Sequence, residues 1–298
     1  MNKLAIAFIA GVLALAAVPV FGQTLFGCAE RNYNCQLSAA LKGVELDPKN
    51  PVRQYDLASV WLRSGAYTAA IEAYTVYIGM PGIKAKDLAE GYNNRGVSYR
   101  RRGQSANALA DFKKAAELVP SNAAFLTNQG NANTDLKNFD VALENYAAAL
   151  RLDPRYARAY SGRGHLYSVT ERPDDAIADF SKAIEYDPKD PENYFNRAVV
   201  YKKKGEHEKS VADYDTYIPL VLGNNVSQAD GYINRGLAHF NLGHRDKALA
   251  DFTKVIELDP KRANGYRIRA LLYRAMKKDD LAAADEKKVL ELAAGNER

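Results

Sequence analysis

Five arginines of this 298-residue chain are each followed, sixteen residues later, by an aspartate: Arg95 with Asp111, Arg163 with Asp179, Arg197 with Asp213, Arg235 with Asp251 and Arg269 with Asp285. Two further positions in the same series carry Leu57 with Ala73 and Gln129 with Asn145, so polarity matches at all seven. A guanidinium and a carboxylate that change together form a charge-assisted contact. Such a contact orients two helices, and a guanidinium already paired is a poor ligand for anything else. No other constellation suggests catalysis. The chain has no Gly-x-Ser-x-Gly, no phosphate-cradling Gly-Lys-Ser/Thr and no His-Glu-x-x-His. Its four histidines, His165, His207, His239 and His244, have no convincing ligand partners, so we expect no metal, no cofactor and no enzyme.

The elements that position these pairs are repeats. Tyr92-Asn-Asn-Arg-Gly96, Gly103, Ala108-Leu-Ala-Asp-Phe112 and Pro120 return as Tyr232-Ile-Asn-Arg-Gly236, Gly243, Ala248-Leu-Ala-Asp-Phe252 and Pro260. Units span 51–88, 89–122, 123–156, 157–190, 191–228, 229–262 and 263–296. A period near 34 residues with glycine in the middle and proline at the end predicts helix pairs stacked on their neighbours. Within each pair, small residues such as Gly130, Gly164 and Gly236 face an aromatic stripe that includes Tyr74, Phe112, Tyr146, Phe180, Tyr214 and Phe252. An aromatic stripe at helical spacing reads as core. Residues 140 apart also match, and the two longer units carry four extra residues within 79–88 and 219–228, stretches of loop-forming letters. The array reads as a copied block, with two similar irregular links.

This pattern resembles the tetratricopeptide repeat (TPR) family across residues 51–296. The resemblance implies an all-α, right-handed superhelical solenoid of seven helix pairs whose first helices line a concave groove. It also implies peptide contacts from the sixth position of each unit, here Asn94, Asn128, Asn196 and Asn234, with Asp56, Gly162 and Ile268 breaking the row. An asparagine both donates and accepts, which suits an extended backbone, though it can equally bond a neighbouring helix. The lysine clamp that some members use on chaperone carboxylates is missing at the fifth positions, where only Arg267 is basic. Arg100-Arg101-Arg102 and Lys202-Lys203-Lys204 end first helices, where cations also suit the helix dipole; Arg100, Arg101, Lys202 and Lys203 are candidate contacts for an acidic partner.

The chain ends and bulk composition frame the setting. Lys3 followed by apolar residues 4–21 and a small-residue exit reads as an export signal over 1–22, with a retained membrane anchor as the alternative. Residues 23–50 hold Cys28 and Cys35 and a capping helix from Gln36 to Leu46. In an exported chain such a pair suggests one disulfide, the alternative being lipid attachment at Cys28 after Leu25-Phe26-Gly27. The net charge of +5 is too weak and dispersed for a nucleic-acid partner. The leading reading is a periplasmic adaptor or scaffold holding another protein. Its alternatives are a lipid-anchored envelope assembly factor on the outer membrane and, less favoured, an enzyme or enzyme subunit acting on cell-wall polymer. Membrane association is expected only if Cys28 is lipidated or the signal is retained.

Overall fold

The computed structural model describes Cys28 and residues 32–295, which contain fifteen helices and no strand. The expected signal over 1–22 lies outside the described residues. No helix among those described is long and apolar enough to cross a membrane. Helices α1 (Tyr33–Leu46), α2 (Pro51–Arg63), α3 (Tyr67–Ile78) and α4 (Ala85–Arg101) belong to one compact unit that closes at Gly103. A second unit starts at Gln104 and holds α5 (Ser105–Leu118), α6 (Ala123–Asp135), α7 (Phe139–Leu152), α8 (Ala157–Val169), α9 (Pro173–Tyr186), α10 (Pro191–Lys203), α11 (His207–Leu220), α12 (Asn225–Asn241), α13 (Arg245–Leu258), α14 (Ala263–Ala275) and α15 (Asp279–Gly295).

Local chemistry explains why the chain breaks where it does. Asn50, Asn122, Asp190 and Asn224 cap first helices by accepting a hydrogen bond from a backbone N–H in the first turn. Pro51, Pro173 and Pro191 open helices at a position where no N–H is needed. Within each pair the turn needs one residue in the left-handed region. Glycine supplies it in four repeats, as at Gly65 and Gly103, but Lys137, Glu171 and Lys277 take it at φ of 62°, 58° and 59°. Glu171 therefore does not escape the requirement, despite the proline two residues on. A side chain there is strained, so Glu171→Gly is expected to stabilise the second unit by about 0.5–1 kcal/mol, read as a higher urea midpoint with unchanged slope.

In the second unit the aromatic stripe is the core. Tyr146, Phe180, Tyr214 and Phe252 are essentially fully buried. Close approach demands the small residues opposite them: a Cβ at Gly130 would lie 2.7 Å from the Tyr146 ring, and one at Gly236 2.5 Å from Phe252. Each first helix packs on its own second helix, and each second helix on the next first helix. First helices also touch one another in succession, α6 with α8, α8 with α10 and α10 with α12, whereas second helices of adjacent pairs do not pack together. First helices therefore crowd one side of this stack. In the first unit α1 packs along α2, its Gly43 lying against the Arg53 side chain, and Arg63 donates to Gln36. Cys28 and Cys35 have Cα atoms 5.7 Å apart, within the span a disulfide bridges.

The two longer units depart from the expected loops. Helices α4 and α12 run 17 residues, against 13 for α2, α6, α8, α10 and α14. The extra residues thus add a helical turn at the start of each, and Pro219 sits within the last turn of α11 rather than in the loop. The added turns are pinned alike. The Tyr77 hydroxyl donates to the Asp87 carbonyl at 3.1 Å, and Tyr217, 140 residues on, donates to the Ser227 carbonyl at 3.3 Å.

Candidate docking face of the first helices

Four of the five arginines make two-pronged pairs in the second unit. Nε and Nη2 of Arg163 donate to Asp179 at 2.6 and 2.8 Å, those of Arg197 to Asp213 at 2.8 and 2.7 Å, those of Arg235 to Asp251 at 3.0 and 2.6 Å, and those of Arg269 to Asp285 at 2.8 Å each. The aspartates are buried. Their hydrogen bonds hold the guanidinium groups of Arg163, Arg235 and Arg269 above the usual range, against the opposing effect of burial. Arg95 and Asp111 fall in different units. The apolar counterparts Leu57 and Ala73 are both buried. Gln129 and Asn145 do not pair: Gln129 donates to the Phe112 carbonyl, and Asn145 accepts from Asn133. A neutral amide without a carboxylate partner takes the nearest backbone acceptor instead.

A third bond, unforeseen in the sequence, ties four of the five arginines to the preceding pair. Nη1 of Arg197 donates to Ser181, that of Arg235 to Asp215 and that of Arg269 to Thr253. In the first unit Arg95 donates to Thr75 in the same way. The four acceptors occupy one repeat position, two residues past the paired aspartate's place. The signal was available as a polar residue sixteen or twenty residues before each of these four arginines, whereas Arg163 has Ala147 at that place. Tyrosines flank the same groups, for instance Tyr160 and Tyr167 around Arg163 and Tyr266 and Tyr273 around Arg269. The guanidinium groups of Arg197, Arg235 and Arg269 brace three helices and have little left for a ligand.

At the place of the flanking tyrosine, repeat six has His239. It is buried, four residues from Arg235, with its ring 5.7 Å from that of His244 and its Nδ1 unpartnered. Burial pushes its pKa below 6.5; Arg235, Lys247 and His244 push the same way and Asp251 opposes. The unfolded chain therefore takes up this proton more readily than the folded one. The contribution to stability is complete above about pH 6.5 and is lost as pH falls from there through the lower folded value. His239→Tyr, the residue most other repeats use, is expected to flatten the stability profile between pH 7 and 5, as followed by urea denaturation.

The asparagine row is not uniform. Asn94 donates to the Tyr55 hydroxyl at 2.8 Å, so it bonds a neighbouring first helix. Asn234 accepts from Lys202 at 2.7 Å and donates to the Asp230 carbonyl. Asn128 and Asn196 are half-buried, and Asn196 makes no side-chain hydrogen bond among the described residues. The gap at Gly162 has a steric cause: a Cβ there would lie 2.7 Å from both Asn131 and the Tyr146 ring, where α6 and α8 meet. The basic tracts also divide. Arg101 and Lys203 are exposed and Arg100 is half-buried, whereas Lys202 turns onto Asn234 and Lys204 bonds Asp174 and Glu206. No group of acidic, histidine and cysteine side chains among the described residues could hold a metal ion.

A profile described as tetratricopeptide repeat matches residues 89–122 and 229–262, and one described as TPR repeat matches 130–168 and 172–205. These stretches carry the helix pairs, glycine turns and aromatic stripe described above. The chain is a tetratricopeptide repeat protein. Solved TPR-fold structures resemble it over most of its length. A chain of the APC/C hetero-tetramer Cut9–Hcn1 superposes with a TM-score of 0.62 at 19% identity, over 88% of this chain and 50% of that one. Yeast Tom70 gives 0.62 at 20% identity, over 87% and 55%. This TPR protein thus spans about half the length of either. YrrB, described as a TPR protein with an unusual peptide-binding site, gives 0.52 at 25% identity over 61% of this chain and 91% of its own. No curated protein matches the sequence.

Proposed function

We propose that this TPR protein is a non-enzymatic scaffold that holds a segment of another protein against its first helices. The observation that carries the reading is the division of labour on that face. The arginines are used up in bracing helices, while Asn196 stays half-exposed on α10, a first helix flanked by the first helices α8 and α12. A surface of adjacent helices with amide groups between them suits an extended backbone or a helix. The peptide-binding site described for YrrB supports the same reading. The test is photo-crosslinking in cells from Asn128 or Asn196, with Lys182 on a second helix as the control, followed by mass spectrometry. Crosslinks to one protein from the first-helix positions are expected. Crosslinks from Lys182 alone would place the partner on the other side and remove the proposal.

The setting we propose is the periplasm, reached by an export signal over 1–22, with Cys28 and Cys35 oxidised to a disulfide. The basic start, apolar run and small-residue exit support export, and the proximity of the two cysteines supports the bridge. Fractionation with N-terminal sequencing of the mature chain tests the first point. Incorporation of labelled fatty acid that is abolished by Cys28→Ser would favour the lipid-anchored alternative instead.

A further inference from the structure

The internal echo at 140 residues provides a control inside the molecule. In the first copy the first-helix face is closed on itself: Asn94 bonds the Tyr55 hydroxyl, and the Ser59 and Tyr74 hydroxyls bond each other at 3.0 Å. In the second copy Phe195 and Val199 replace Tyr55 and Ser59, so both hydroxyl partners are gone. The Tyr214 hydroxyl, equivalent to that of Tyr74, is buried with no partner. Lys202 replaces Leu62 and occupies the freed Asn234 amide.

Lys202 is the anomaly in this unit. It is half-buried, and among the described residues no carboxylate oxygen lies within salt-bridge reach of its Nζ; its one acceptor is a neutral amide. Arg163, Arg197, Arg235, Arg262 and Arg269, buried to a similar extent, each meet an aspartate. A partly desolvated cation without a counter-charge is destabilising, and burial together with Lys203 pushes the Lys202 ammonium below its usual range. On the next first helix, one and nearly two turns past Asn234, Leu237 and Phe240 are 36% and 40% exposed. A cation with two unused donors, with exposed apolar side chains on the helix that its acceptor belongs to, is complementary to a carboxylate flanked by apolar groups.

We infer that repeats five and six form the specificity site of the docking face, where Lys202 and Asn234 receive an aspartate or glutamate side chain of the bound segment and Leu237 and Phe240 receive its apolar neighbours. This rests on the scaffold reading above and names the chemistry of the partner. A side-chain carboxylate within the segment, rather than a chain end, is the source, because the site lies within the row of first helices and an extended segment runs through it.

The test is selection of random dodecapeptides displayed on phage against the whole mature chain. Enriched sequences are then synthesised with amidated ends and titrated by fluorescence polarisation. Enriched peptides are expected to carry an acidic residue beside leucine, isoleucine or phenylalanine. Their affinity should fall about tenfold or more on Lys202→Met, fall as much when their acidic residue becomes the amide, and stay within twofold on Lys203→Met. Circular dichroism establishes that the variants fold. Peptides that lack acidic residues, or that bind Lys202→Met as tightly, yet are lost on Asn196→Arg, overturn this inference and leave the docking face standing. Peptides indifferent to all three substitutions overturn both readings, as does the absence of any enriched peptide.

Discussion

Arg235→Leu is expected to destabilise the second unit by about 3–5 kcal/mol, because it leaves Asp251, 5% exposed, as a buried charge with no partner. The double variant Arg235→Leu with Asp251→Ala should recover most of that loss. The first repeat has this apolar combination in Leu57 and Ala73, both buried, and builds a helix pair with it. The residual cost then reports what the bond to Asp215 contributes, since Arg235 also reaches that residue at 2.6 Å. Urea denaturation of the two single variants and the double variant gives the coupling energy directly. Additive losses would mean that the pair is not the unit of helix orientation that its geometry indicates.

Tyr214→Phe is expected to raise stability by about 1–2 kcal/mol, while the same change at Tyr146 lowers it by about 1 kcal/mol. The two tyrosines occupy one repeat position and are equally buried. They differ in what their hydroxyls meet. Tyr146 donates to Asn131 at 2.8 Å and lies 3.3 Å from the Thr134 hydroxyl, whereas Val199 stands at the place of Asn131 beneath Tyr214. Burial drives the Tyr214 hydroxyl pKa well above its usual value with no hydrogen bond to offset it. Shifts of the same sign at the two sites, in thermal and urea unfolding, would contradict this account.

How far the sequence could be read follows from where each interaction lies. Within a pair, the sixteen-residue offset identified Arg163 with Asp179 and Arg269 with Asp285, because both partners sit on faces that glycine and aromatic spacing already define. Between pairs the stacking decides, and no single repeat encodes it. The bonds from Arg197 to Ser181 and from Lys202 to Asn234 became legible only once neighbouring helices were placed. Gln129 was misread for a related reason: polarity was matched without asking whether a nearer backbone acceptor competes. The added turns of α4 and α12 were misread as loop because glycine and proline dominate the letters nearby, although the helices begin just after them.

The threefold grip of Arg197, Arg235 and Arg269 has a mechanical consequence. Each ties a helix pair to the one before it through a bond that breaks if either pair frays. Repeats four to seven should therefore share load like links in a taut chain. Amide protons along α9 to α14 should exchange in concert rather than repeat by repeat, and a pull applied to a segment lodged against α10 should be felt in the outer helices on both sides of it.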